Sequence, residues 1–265
     1  MTAGLRHFPG APARPALALH CMMGSAASWG AVVERLGGRI DVTAPDLPLH
    51  GRGPAWQTGG ASFADATLAL ARPLAETLAA RAADGRIDLI GHSFGAVAAL
   101  RLALHAPARV RSLTLIEPVL FAALPAPERD PDGLLPRLEQ MEVAGDRAGS
   151  TAAFLRYWNG PDLSALPAPA QAQMVAQMAG VLDTMGDLYD DRGAILAPGG
   201  LEALAVPVML IRAANSAPVM APILEALAAR LPDVGVAVVP GAGHMVPLTH
   251  PAEVAGLVAV NLDRA

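Results

Sequence analysis

Residues 91–95 read Gly91-His92-Ser93-Phe94-Gly95 and follow directly on the apolar run Ile87-Asp88-Leu89-Ile90. A serine between two glycines at a strand end, opening a helix, sits on a sharp turn. A Cβ two residues to either side would meet the tight backbone, so both positions must be small. The turn lifts the Ser93 hydroxyl off the sheet. It aims the backbone N–H of Phe94, and the N-terminus of the next helix, at whatever Ser93 attacks. The chemistry is nucleophilic. A serine hydroxyl is weak at neutral pH, so it needs a general base, a group to orient that base, and donors for an oxyanion.

The base is expected at His244, in Gly241-Ala242-Gly243-His244-Met245. This loop follows the last strand of the pattern and precedes the last helix. Loops at the carboxyl ends of parallel strands are where such a sheet gathers its site. The other six histidines read differently. His92 lies inside the turn and points away from the nucleophile. His105 ends a helix, where a cation or donor caps carbonyls. His7, His50 and His250 sit in loops with no partner indicated, and His20 packs under a loop.

The elements that must position these residues alternate. Strands are expected at 16–20, 40–46, 87–90, 112–117, 206–212 and 234–239. Helices are expected at 28–36, 62–83, 95–105, 218–231 and 251–262. Ser62 starts the second helix with Asp65 three residues on, a weak capping pair. Pro73 inside that helix predicts a kink or a break. Strands alternating with helices imply crossover connections and a mostly parallel sheet. Residues 121–200 depart from this rhythm. They hold helical patterns at 134–143, 150–158 and 168–185 and no convincing strand. The stretch is expected to be a helical cap over a core of residues 1–120 and 201–265.

On these residues the chain resembles the α/β-hydrolase family, whose fold is a mostly parallel central sheet flanked by helices. The resemblance runs through His20 with Gly24-Ser25, Pro45-Asp46-Leu47-Pro48, His50-Gly51-Arg52-Gly53, the Ser93 motif and Gly243-His244. It implies that the backbone N–H groups of Met22 and Phe94 form the oxyanion hole. Cys21 departs from it, since glycine is usual there, and would be a small buried hydrophobe. Asp46 would cap backbone N–H groups in a tight loop. The usual acid is missing: residues 212–218 read Arg-Ala-Ala-Asn-Ser-Ala-Pro, with neutral Asn215 or Ser216 about where an Asp would stand. Some haloalkane dehalogenases of this fold carry their acid at the end of the strand after the nucleophile's helix. Here that position is Glu117, at the end of an apolar run where an unpaired carboxylate would be costly. A triad of Ser93, His244 and Glu117 is therefore expected.

Trp29, Tyr157 and Trp158 are candidate substrate-binding aromatics, with core packing as the competing reading. The expected activity is serine hydrolysis of small or medium carboxylic esters through an acyl-enzyme. Thioesterase, lactonase, perhydrolase or carbon–carbon bond hydrolase chemistry on the same triad, or a weakly catalytic ligand sensor, are the alternatives.

Composition narrows the rest. The chain has 265 residues, 53% hydrophobic and 16% charged, with formal net charge −5. No basic cluster suggests nucleic acid. No cofactor or metal motif appears. The one cysteine cannot form an internal disulfide. No signal-peptide core or membrane span is expected, so the cytoplasm is the default location and a small-molecule ester the expected partner.

Overall fold

A computed structural model of the chain describes residues 4–265. Seven strands form one sheet: β1 (Leu5–Phe8), β2 (Pro15–Leu19), β3 (Asp41–Pro45), β4 (Ile87–His92), β5 (Val110–Ile116), β6 (Val208–Ala213) and β7 (Val234–Val239). Their order is β1-β3-β2-β4-β5-β6-β7. All pairings are parallel except β1 with β3. After β2 the chain first lays β3 on one side, then returns to lay β4 on the other. The carboxyl ends of β2 and β4 thus flank the point where strand order reverses, the usual crevice for a ligand in such a sheet.

Nine helices accompany the strands among the described residues: α1 (Gly30–Arg35), α2 (Phe63–Arg81), α3 (Phe94–His105), α4 (Leu134–Val143), α5 (Arg147–Tyr157), α6 (Ala168–Asp190), α7 (Met220–Ala228), α8 (Val246–Thr249) and α9 (Pro251–Asp263). Strand side chains alternate between two apolar clusters. Leu17, Leu19, Leu89, Leu113 and Leu115 join α2, α3 and α7 on one face. Ala16, Ala18, Ile90, Ile116 and Ile211 join α1 and α9 on the other. This period-two alternation, apolar in both phases, is what a sheet covered on both faces requires.

Four expectations change. β1 was not expected. It is a four-residue edge strand whose central Arg6 and His7 are exposed, so its apolar signal is weak. There His7 Nε2 lies 2.7 Å from Asp41 Oδ1, so His7 is in a strand and partnered. α2 runs unbroken through Pro73, which faces solvent, with Thr77 Oγ1 donating to the Pro73 carbonyl at 2.8 Å. A proline on an exposed face forfeits one hydrogen bond without displacing core packing. α6 continues to Asp190, five residues beyond its expected end. The Ser62 cap is as read: its hydroxyl accepts from Asp65 N at 3.0 Å.

Residues 121–200 hold α4, α5, α6 and short 3₁₀ turns, without a strand, between β5 and β6. Gln177 of α6 donates to the Leu49 carbonyl at 3.2 Å, and Phe63 N donates to Asp183 at 2.5 Å. No described helix is long and apolar enough to cross a membrane.

Candidate active site

Ser93 occupies the turn between β4 and α3 with φ 56° and ψ −121°. A non-glycine residue there is strained and persists only where its surroundings force it. The flanking glycines provide that constraint. A Cβ on Gly91 would lie 2.3 Å from the Gly95 carbonyl oxygen, and one on Gly95 would lie 2.3 Å from that of Leu19. Ser93 N donates to the Ile116 carbonyl at 2.8 Å, tying the turn to β5.

Glu117 begins the loop after β5, also with positive φ, 51°. Its N–H donates to Ile211 O at 2.8 Å, which holds it against β6. Its carboxylate is fully buried and fully partnered. Oε1 accepts from Ala213 N at 2.7 Å. Oε2 accepts from His244 Nδ1 at 2.9 Å and from Ser216 Oγ. With Nδ1–H donating, His244 Nε2 carries the lone pair. Ser93 and His244 line one cavity, at 7% and 3% exposure, with no hydrogen bond between Ser93 Oγ and Nε2. Such contacts commonly tighten only when substrate is bound.

The His244 loop is held from two sides. His92 Nε2–H donates to the His244 carbonyl at 2.9 Å. Asn159, after α5, accepts from His244 N through Oδ1 at 3.1 Å, and a Cβ on Gly243 would lie 2.7 Å from that oxygen. The Trp158 ring lies 4.4 Å from the imidazole, centroid to centroid.

The loop after β2 is organised by histidines. The Cys21 carbonyl accepts from His20 Nδ1 at 2.7 Å and from Gly24 N at 3.1 Å. That carbonyl shares a planar trans peptide with Met22 N–H, so anchoring it fixes the opposite direction of Met22 N–H. Leu47 N closes the arrangement on His20 Nε2 at 3.0 Å. Met23 N donates to His50 Nε2 at 2.8 Å, while His50 Nδ1–H donates to Pro48 O at 2.7 Å. Among the described residues Met22 N–H and Phe94 N–H have no hydrogen-bond partner. His50 is therefore partnered, contrary to expectation, and His20 does more than pack. Burial pushes His20 down to about 3 and His50 to about 4. Burial, reinforced by His244 nearby, pushes His92 to about 3. All three are neutral near pH 7. Cys21 is buried and its thiol is pushed up to about 12 by desolvation. Asp46 caps as expected, accepting from Ala26 N at 2.8 Å and Arg52 N at 2.9 Å.

A model of the alpha/beta hydrolase family matches residues 16–257. The chain belongs to that family. It is similar to lipase LipV of Mycobacterium tuberculosis, 28% identical over 97% of this chain and 96% of the relative. Among solved structures it resembles a bromoperoxidase from Bacillus anthracis, with TM-score 0.76 and 18% identity over 98% of this chain and 94% of the other. It also resembles the naproxen esterase of Bacillus subtilis, with TM-score 0.68 and 17% identity over 98% and 88%. Those two likenesses are of fold.

Within this alpha/beta hydrolase the aromatic candidates separate. Trp158 lines the Ser93 cavity. Trp29 packs in the cluster on the α1 and α9 face and borders an outer groove instead. Tyr157 turns away, its hydroxyl donating to Asp132 at 2.9 Å. His105 Nε2 meets Arg72 at 3.0 Å rather than its own helix end. Asn159 belongs to the Tyr157-Trp158-Asn159 stretch expected in the cap, but neither its hold on His244 N nor the carbonyl anchor at His20 carried a sequence signal. Ser216 did, as the neutral residue where the usual acid is missing.

Proposed function

We propose that this alpha/beta hydrolase cleaves carboxylic esters through an acyl-enzyme, with Ser93 as nucleophile, His244 as base and Glu117 as acid. The observation that carries the reading is the buried Glu117 Oε2 at 2.9 Å from His244 Nδ1, behind a serine held at φ 56°. Similarity to a lipase supports the ester as substrate.

In this mechanism Ser93 Oγ attacks the carbonyl carbon as His244 Nε2 takes its proton. Glu117 holds the imidazole in the Nδ1–H tautomer and stabilises the imidazolium. Met22 and Phe94 N–H receive the oxyanion, and both are free to do so. His244 then gives the proton to the leaving alcohol. Water, deprotonated by the same ring, releases the acid from Ser93. Helices α4–α6 act as a cap over residues 1–120 and 201–265.

A fluorophosphonate tests the nucleophile. A single adduct, absent in Ser93→Ala and in heat-unfolded protein, is the expected result. A folded protein that takes no adduct would leave a ligand sensor as the better reading.

A further inference from the structure

Two distinct spaces open from the Ser93 site, the outer one through a junction that Ser93 lines. The inner one lies beneath α4, α5 and α6 and includes Phe121, Leu135, Leu138, Phe154, Val181 and Leu188. It carries no charged side chain. Its buried Thr184 hydroxyl is already used on the Val181 carbonyl at 2.6 Å. The outer one is a groove between the loop after β2, α8 and the first half of α6. It includes Met23, Ala170, Gln173, Gln177 and Pro247, again with no charged side chain. A short junction containing Met22, Ser93, Trp158 and His244 shares residues with both.

His244 borders the junction and not the inner space. Its loop neighbour Met245 borders the groove. The imidazolium delivers its proton to the leaving oxygen, so the leaving group must lie on the His244 side. The acyl group then extends away from it, into the inner space.

We infer that the inner pocket takes the acyl half and the outer groove the alcohol half of an ester uncharged at both ends. This rests on the ester reading above. Burying an unpaired carboxylate or ammonium in the inner pocket is costly, so acids with a second charge are excluded. No Arg or Lys borders the groove, so a phosphorylated alcohol or carrier thiol finds no ion pair there. The substrate class is an aliphatic or aryl acid esterified to a neutral alcohol.

Kinetics can separate the two halves because the alcohol has left before deacylation begins. Leu135 and Met185 border the inner pocket half-buried, and Ala170 borders the groove half-buried, so substitutions there spare the core. Ethyl esters of acetate, butyrate, hexanoate and monosuccinate vary the acyl half. Ethyl, benzyl and phosphoethyl butyrates vary the alcohol half. Pre-steady-state mass measurement gives the acylation and deacylation rates.

Leu135→Trp should lower kcat/KM for hexanoate relative to acetate about tenfold, and Met185→Ala should raise it, the scale of a methylene or two in an apolar pocket. Leu135→Trp should also alter butyryl-enzyme deacylation. Ala170→Trp should penalise benzyl against ethyl esters while leaving butyryl-enzyme deacylation within about twofold, since no alcohol remains to feel it. Wild-type enzyme should disfavour monosuccinate and phosphoethyl esters by about a hundredfold or more. Exchanged effects, with Ala170→Trp discriminating acids and Leu135→Trp discriminating alcohols, overturn the assignment. So does efficient turnover of either charged ester. Loss of the Ser93-dependent fluorophosphonate adduct and of all ester turnover would instead overturn the ester reading itself.

Discussion

Ser216 donates to the same Glu117 oxygen that accepts from His244 Nδ1. Ser216 stands in the loop after β6, where the acid was missing from the sequence, and Glu117 reaches it from β5, the adjacent strand. Two positions that each could supply a carboxylate therefore converge on one point beside the imidazole. A carboxylate moved to residue 216 should take over part of the Glu117 role. Glu117→Gln combined with Ser216→Asp is expected to recover at least about tenfold of the kcat lost in Glu117→Gln alone, a small part of what a triad acid supplies. An equal or lower kcat in the double variant would show that the two positions are not interchangeable.

Glu117→Gln should itself lower kcat by about 10³–10⁴-fold. The reason is a donor mismatch. Ala213 N–H holds the oxygen that becomes the amide carbonyl. The amide NH₂ then faces His244 Nδ1 and forces its lone pair inward, which leaves Nε2 protonated and unable to act as base. The fold should survive, because the replacement is isosteric and Ser216 can accept the second amide hydrogen. A kcat within tenfold of wild type at an unchanged circular dichroism spectrum would remove Glu117 from the triad.

Stability should fall steeply in mild acid. His20, His50 and His92 are buried and neutral, with folded values of about 3, 4 and 3 against an ordinary 6.5. Each gains its proton more readily unfolded than folded. Their contribution is complete above pH 6.5 and is lost as pH falls toward 4, at up to about 1.4 kcal/mol per pH unit for each ring. Thermal melts between pH 7.5 and 4.5 should show Tm dropping progressively below pH 6.5. His50→Gln should shallow that slope even though it lowers Tm at pH 7.5. A melting temperature flat from pH 6.5 to 5 would mean that the three rings are not held neutral.

Much of this arrangement was legible because it rests on local signals. The parallel sheet follows from apolar runs alternating with helical stretches. The Ser93 turn follows from two glycines whose Cβ positions are occupied by backbone. Glu117 stood out as a carboxylate ending a buried strand. What was not legible depends on direction or distance. Tyr157 and Trp158 are adjacent, yet one meets solvent-side Asp132 and the other the His244 ring, because neighbouring residues near a helix end project about 100° apart. His50 acts on Met23 N and Pro48 O, backbone atoms that leave no pattern in side-chain type. β1 is too short, and too exposed at Arg6 and His7, to mark itself.

Asn159 reaches His244 from 85 residues away in the chain. It follows α5, with φ 55°, a conformation that asparagine and glycine tolerate best. Its Oδ1 fills the space that a Gly243 side chain would need and fixes the N–H of the histidine. Asn159→Gly keeps the backbone conformation and removes only that contact. The His244 backbone would then keep only the His92 contact at its carbonyl, while Asn215 N still holds Ala242 O at 2.8 Å and Glu117 still holds the ring. A displacement of the base by a fraction of an ångström should lower kcat by about tenfold, with KM nearly unchanged. Fluorophosphonate labelling should slow in parallel, since it needs the same Ser93–His244 alignment. Asn159→Ala should lose stability in addition, because alanine resists positive φ. If Asn159→Gly labels and turns over at the wild-type rate, the contact holds the loop without positioning the base.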